Sequence, residues 1–126
     1  MDKKKILIVD DEKDFTQLVK MSLEGMGDYE VRTENDPLEA VAAAREFKPD
    51  LILLDIIMPD MDGTEVARKI REDEKIGSTP VVFLTATVTK AETDFVEGGI
   101  IGGRAFIAKP VNIRDLISYI EKHTRK

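Results

Sequence analysis

In this chain the polar residues that could do chemistry stand directly after short apolar runs. Asp10, Asp11 and Glu12 follow Ile6-Leu7-Ile8-Val9, Asp55 follows Leu51-Ile52-Leu53-Leu54, Thr85 follows 81–84, and Lys109 follows 104–108. Carboxylates gathered in one place repel one another and stay ionised together only when a cation shares the site. An oxygen-only ligand set suits a hard ion, and Mg²⁺ with retained waters is the natural choice. Such an ion bridges a carboxylate to a phosphoryl oxygen and draws charge from the transferring group. Asp55 is then the best nucleophile, because a carboxylate takes a phosphoryl group directly as an acyl phosphate. Lys109 would set a point charge against the phosphoryl oxygens, and Thr85 would offer them a hydroxyl donor. Each residue taken singly has an ordinary reading: Asp caps a helix, Thr85 is a turn residue, Lys109 is a solvated charge. The joint placement favours phosphoryl chemistry.

The elements that must position these groups alternate strictly. Ile6 to Val9 form a strand-length apolar run. A helical stretch follows with Phe15, Leu18, Val19, Ser22, Leu23 and Met26 spaced to share one face, stopping near Gly25 and Gly27. A second strand spans 29–33. Asp36-Pro37 has the form of an N-cap with Pro at the first helical position, opening an Ala-rich helix that Pro49 closes. The third strand, 51–54, is apolar on both faces, as the centre of a covered parallel sheet requires. A loop ending at Gly63 leads to a helix with Val66, Ala67 and Ile70 inward. Pro80 precedes the fourth strand, 81–84. A less regular region, 85–103, contains a helix around 90–97, and 104–108 is the fifth strand. The last helix carries Ile113, Leu116, Ile117 and Ile120 on one stripe, with Asn112 as its cap. The fold class is therefore α/β, a doubly wound five-stranded parallel sheet with five helices, filling residues 1–126 as one domain. In such a sheet function gathers in the loops at the carboxyl ends of the strands, where the polar residues fall.

Composition narrows the field. With 19 Lys plus Arg against 25 Asp plus Glu, the charge of -6 argues against direct nucleic-acid binding, which needs a basic face. The absence of Cys removes disulfides, thiolate metal sites and cysteine nucleophiles. The one His, His123, lies among Lys and Arg near the C-terminus and is a poor base or ligand. No apolar run approaches the roughly 20 residues that span a bilayer, and the start of the chain is no signal peptide. The chain reads as cytoplasmic, with no membrane partner.

ILIVDDEKD, DLILLDIIMPDMDG, VVFLTAT and AFIAKP together resemble the receiver domain of bacterial two-component response regulators, close to the single-domain chemotaxis type. The likeness covers essentially the whole chain. It implies a flavodoxin-like sheet of strand order 2-1-3-4-5. It implies that Asp10 and Asp11 hold Mg²⁺ with Asp55, the backbone carbonyl of Ile57 being a further ligand. Asp55 would be the phosphoacceptor, and Thr85 and Lys109 would contact the phosphoryl group. Phe106 would turn inward when Thr85 moves, and Pro110 would sit in the family's cis peptide bond. The resemblance implies a sensor histidine kinase or histidine phosphotransfer protein as donor. It also implies a downstream protein target reading the face of the fourth helix, fifth strand and fifth helix. A homodimer formed on phosphorylation is left open.

Three features depart from the family pattern. The stretch 92–103, ETDFVEGGIIGG, is Gly-rich and the span from Thr85 to Lys109 is longer than usual, with Ile100 and Ile101 either core or a docking patch. Apolar Ile57 cannot position an attacking water, which suggests that it shields the acyl phosphate. Phe106 lacks the hydroxyl of the commoner Tyr. The competing readings are a degenerate receiver that only binds proteins and a haloacid-dehalogenase-like phosphohydrolase. The second would need an Asp where Ile57 stands. A dinucleotide fold or P-loop would need Gly-rich turns that are absent.

Overall fold

The structure, a computed structural model of the chain, describes residues 3–56, 58, 62–85, 100–101, 104–108 and 112–124. Strand β1 (Lys4–Val9) runs parallel to β2 (Tyr29–Glu34) on one side and to β3 (Leu51–Asp55) on the other. Beyond β3 lies β4 (Val81–Thr85), again parallel, and then β6 (Arg104–Ala108), the strand expected at 104–108. Among the described residues the order is β2-β1-β3-β4-β6-β5, where β5 is the two-residue Ile100–Ile101. That last strand corrects the expected five-stranded, wholly parallel sheet: it pairs antiparallel with β6, Ile100 opposite Ala105 and Ile101 opposite Arg104. Two residues carry no period, so nothing in the sequence marks them as a strand.

Alternation along the strands sorts the core onto two faces. Leu7 and Val9 of β1 and Ile52 and Leu54 of β3 face one way. They pack against Ala40, Ala43 and Ala44 of α2 (Ala40–Phe47) and Val66, Ala67 and Ile70 of α3 (Gly63–Glu72). Ile6, Ile8, Leu51 and Leu53 face the other way, onto Val19 and Leu23 of α1 (Lys13–Glu24) and Leu116 and Ile120 of the C-terminal helix (Ile113–Thr124). Every side chain from Ile6 to Val9 and from Leu51 to Leu54 is fully buried. Truncating one of these to Ala is the kind of change that costs about 2–5 kcal/mol.

The stripe on α1 is narrower than the sequence suggests. Thr16, Val19 and Leu23 are buried, but Leu18 is 64% and Met26 57% exposed. Helical spacing turns Leu18 off the line through 16, 19 and 23, and Met26 lies past the end of the helix. Gly27 has φ +88, which a residue with a side chain rarely adopts. At 37–39 the chain makes a single 3₁₀ turn before α2, with Asp36 accepting from the Leu38 N–H at 2.9 Å. The cap and Pro read from the sequence thus start a tighter turn, and the α-helix begins at Ala40. Lys48 (φ 53) ends it just before Pro49.

Asn112 caps the C-terminal helix as expected, its Oδ1 accepting from the N–H groups of Arg114 (2.9 Å) and Asp115 (3.2 Å). The far end of that helix is tied to the start of the sheet. Lys4 Nζ donates to Thr124 Oγ1 at 2.8 Å and pairs with Glu121 Oε1 at 3.0 Å, while the Tyr29 hydroxyl donates to Glu121 Oε2 at 2.7 Å. Burial first, and then this carboxylate, push the Tyr29 hydroxyl well above its ordinary pKa. The helix expected around 90–97 lies outside the described residues. No helix among the described residues is long and apolar enough to cross a membrane.

Candidate functional site

The register of the two central strands builds the site. Val9 lies beside Leu54, so the next residues along each strand, Asp10 and Asp55, emerge together at the carboxyl edge of the sheet. Asp11 follows Asp10 at the head of the loop into α1. Oxygen atoms of Asp10, Asp11 and Asp55 all lie within 4.8 Å of one another. Asp10 is fully buried and Asp55 is 5% exposed, whereas Asp11 faces solvent. The three residues singled out from the sequence as metal-binding carboxylates are thus brought together.

Local bonding sets the shape of the loop. The Asp10 N–H donates to the Glu34 carbonyl at 3.0 Å, continuing the β1–β2 ladder by one residue. Asp10 Oδ1 accepts from the Glu12 N–H at 2.9 Å, the local Asx pattern that turns the chain into α1. Asn35, just past β2, reaches across: its Nδ2 donates to the Asp10 carbonyl at 2.8 Å and to Thr16 Oγ1 at 3.1 Å. Thr16 in turn donates to the Lys13 carbonyl at 3.0 Å. The sequence reading passed over Asn35, although it too follows a strand at this edge.

On its other side Asp55 meets a backbone contact. Gly63 N–H donates to the Ile56 carbonyl at 2.6 Å, and a Cβ at Gly63 would come within 2.1 Å of the Asp55 carbonyl oxygen. No residue with a side chain fits there, so the glycine of the MPDMDG segment seats the start of α3 directly against the end of β3. Asp62 caps that helix, accepting from the Thr64 N–H at 2.8 Å.

Thr85 is the last residue of β4, level with Ala108 on β6, and Phe106 lies level with Phe83. Phe106 is on the strand where the sequence put it, while β4 runs one residue further than the expected 81–84 and takes in Thr85. Ile57, Lys109 and Pro110 lie outside the described residues. His123 is remote: Thr124 beside it meets Lys4 at the start of β1, and the carboxylates follow the end of that strand.

Chemically the cluster is a hard-cation site. Its carboxylate oxygens, two groups buried and one exposed, fit Mg²⁺, a small ion that takes few protein oxygens and keeps several waters. When bound, Mg²⁺ supplies Lewis-acid stabilisation to oxygens of a transferring phosphoryl group. The class defined by fold and site is an α/β domain with a cation-binding acidic cluster on the carboxyl edge of a parallel sheet.

The comparisons with known proteins carry this further. The chain matches the response regulator receiver domain over residues 6–121. It is 39% identical over 125 residues to the nisin biosynthesis regulatory protein NisR of Lactococcus lactis subsp. lactis, covering 97% of this chain and 51% of NisR. It is 34% identical over 120 residues to the polar-differentiation response regulator DivK of Brucella anthropi, covering 95% of each. The solved chemotaxis protein CheY4 of Vibrio cholerae superimposes with a TM-score of 0.80 at 32% identity, over 95% of this chain and 98% of that one. The chain therefore belongs to the response regulator receiver domain family. It spans about half the length of NisR and nearly all of DivK. As a member it is a Mg²⁺-binding, phosphate-accepting signalling domain of a two-component system, with a role in signalling rather than turnover catalysis. Kinase or phosphotransfer partners go with the family.

Proposed function

We propose that Asp55 carries the phosphoryl group. A carboxylate oxygen of Asp55 attacks the phosphorus of the donor and forms an acyl phosphate. The bond from phosphorus to the donor breaks, and the donor keeps the electron pair. The observation that supports this reading is the register that sets buried Asp55 beside Asp10, with Asp11 completing the cluster within 4.8 Å. Asp10, Asp11, Asp55 and the Ile57 carbonyl are the metal ligands. Thr85 and Lys109 contact the phosphoryl oxygens, Thr85 with Phe106 forms the switch, and the cis peptide bond before Pro110 holds Lys109 in place. The donor is a sensor histidine kinase or a histidine phosphotransfer protein.

The same reading takes residues 1–126 as one receiver domain of five principal strands in the order 2-1-3-4-5 with five helices. Its output is a protein target docked on the face built from the fourth helix, β6 and the C-terminal helix, with dimerisation on phosphorylation a further outcome to test. The deciding measurement is intact mass after incubation with acetyl phosphate and Mg²⁺. Wild type gains one phosphoryl group, and Asp55→Asn gains none. A wild type that stays unmodified, both with acetyl phosphate and with a phosphorylated kinase, would overturn the assignment.

A further inference from the structure

The peptide unit joining Asp10 to Asp11 links two of the carboxylates at the site. A peptide unit is planar and stiff, so its orientation sets how the two side chains leave the backbone. Its N–H belongs to Asp11 and its carbonyl to Asp10, and Asn35 Nδ2 holds that carbonyl at 2.8 Å. The same amide group reaches Thr16 Oγ1 at 3.1 Å. Thr16 is 2% exposed and sits in the first turn of α1, where its N–H donates to the Glu12 carbonyl at 3.1 Å.

The orientation of the amide follows from its partners. A carbonyl can only accept, and the Thr16 hydroxyl already donates to the Lys13 carbonyl. Both partners therefore take a proton from Asn35, and the two hydrogens of one NH₂ group satisfy both. Asp at this position would have no proton to give and would set a negative oxygen against the Asp10 carbonyl. Asn35 is half-buried and comes from a different strand connection from the loop it holds.

We propose that Asn35 is a positioning residue for Mg²⁺: it clamps the Asp10–Asp11 peptide to the first turn of α1 and so presets the spacing of the carboxylates. This rests on the functional reading above. Groups that orient metal ligands without touching the metal typically control affinity by about 10- to 100-fold.

The test is Mg²⁺ titration by calorimetry on wild type, Asn35→Ala and the near-isosteric Asn35→Leu, with thermal melts without metal. Phosphorylation by acetyl phosphate is then followed across Mg²⁺ concentration. The expected result is a Mg²⁺ Kd raised about tenfold in both variants. The Mg²⁺ needed for half-maximal phosphorylation rises in step, while the rate at saturating Mg²⁺ stays close to wild type. Thr16→Val, which leaves the bond to Asp10 in place, weakens Mg²⁺ less. Folded variants with wild-type Mg²⁺ affinity, or with a lowered melting temperature as their sole change, would overturn the role of Asn35 alone. A wild type that binds no Mg²⁺ would overturn the functional reading on which it rests.

Discussion

Among the described residues the buried polar ones are Asp10, Thr16 and Asp55, and all three belong to the acidic site or its support. A carboxylate out of water is costly unless hydrogen bonds or a cation compensate it, so two side by side point to chemistry rather than to packing. Asp10 and Asp55 were legible from sequence because each ends an apolar run at the sheet edge. Thr16 and Asn35 were not, since their role lies in whom they touch across the fold. Ile57 belongs to the same scale. An apolar side chain two residues after the proposed acceptor Asp55 has no hydrogen bond to offer an attacking water, so the acyl phosphate is expected to last longer than with a polar residue at 57. The check is the dephosphorylation rate of Ile57→Asn against wild type after excess donor is removed. Asn speeds the loss of phosphate, and equal rates would remove the idea.

Each element combines local signals with the face it must bury. The C-terminal helix has its cap at Asn112, its apolar stripe through Leu116 and Ile120, and a tether from Lys4 and Tyr29 to its last turns. Asn112→Ala removes the acceptor for two first-turn N–H groups and should lower stability by about 1 kcal/mol in urea unfolding. A loss near zero would mean that solvent satisfies those groups as well. The same helix shows why its stripe was readable while that of α1 was overdrawn. Leu116 and Ile120 lie four apart and both reach the core, whereas Leu18 is apolar in type yet lies off the buried line. Apolar character sets what a helix can bury, and neighbouring elements decide how wide the buried strip is.

At the scale of the molecule, links between elements far apart in sequence tie the helices to one another. Asp73, just past α3, accepts from the Lys75 and Ile76 N–H groups and pairs with Arg45 of α2. The Lys75 N–H first, and Arg45 next, hold its carboxyl below the ordinary value of 3.8. A depressed carboxyl stabilises the fold when ionised, so the contribution is fully present above 3.8 and is lost as pH falls through the folded value. Asp73→Asn should therefore melt lower than wild type near neutrality, with the gap closing as the pH drops below 3.8. Thermal melts at about pH 7, 5 and 3 check this, and a gap that stayed constant would count against it.

From sequence alone came what is local and periodic. Runs such as Ile6 to Val9 and Leu51 to Leu54 mark strands covered on both faces, and the acids behind them mark the working edge. Motif resemblance added the family, the Ile57 carbonyl as a further metal ligand, and the roles expected of Phe106 and Pro110. Only the tertiary structure decided what depends on register and on contacts between distant segments. The pairing of Val9 with Leu54 brings Asp10 next to Asp55 across 45 residues of chain. The pairing of Val9 with Glu34 across β1 and β2 brings Asn35 to the Asp10 carbonyl, and the packing of α3 on the end of β3 seats Gly63 on the Asp55 backbone. Periodicity reports which face a residue turns to the core. Which residue from elsewhere meets it is settled by strand pairing and close packing, and these exist only once the chain has folded.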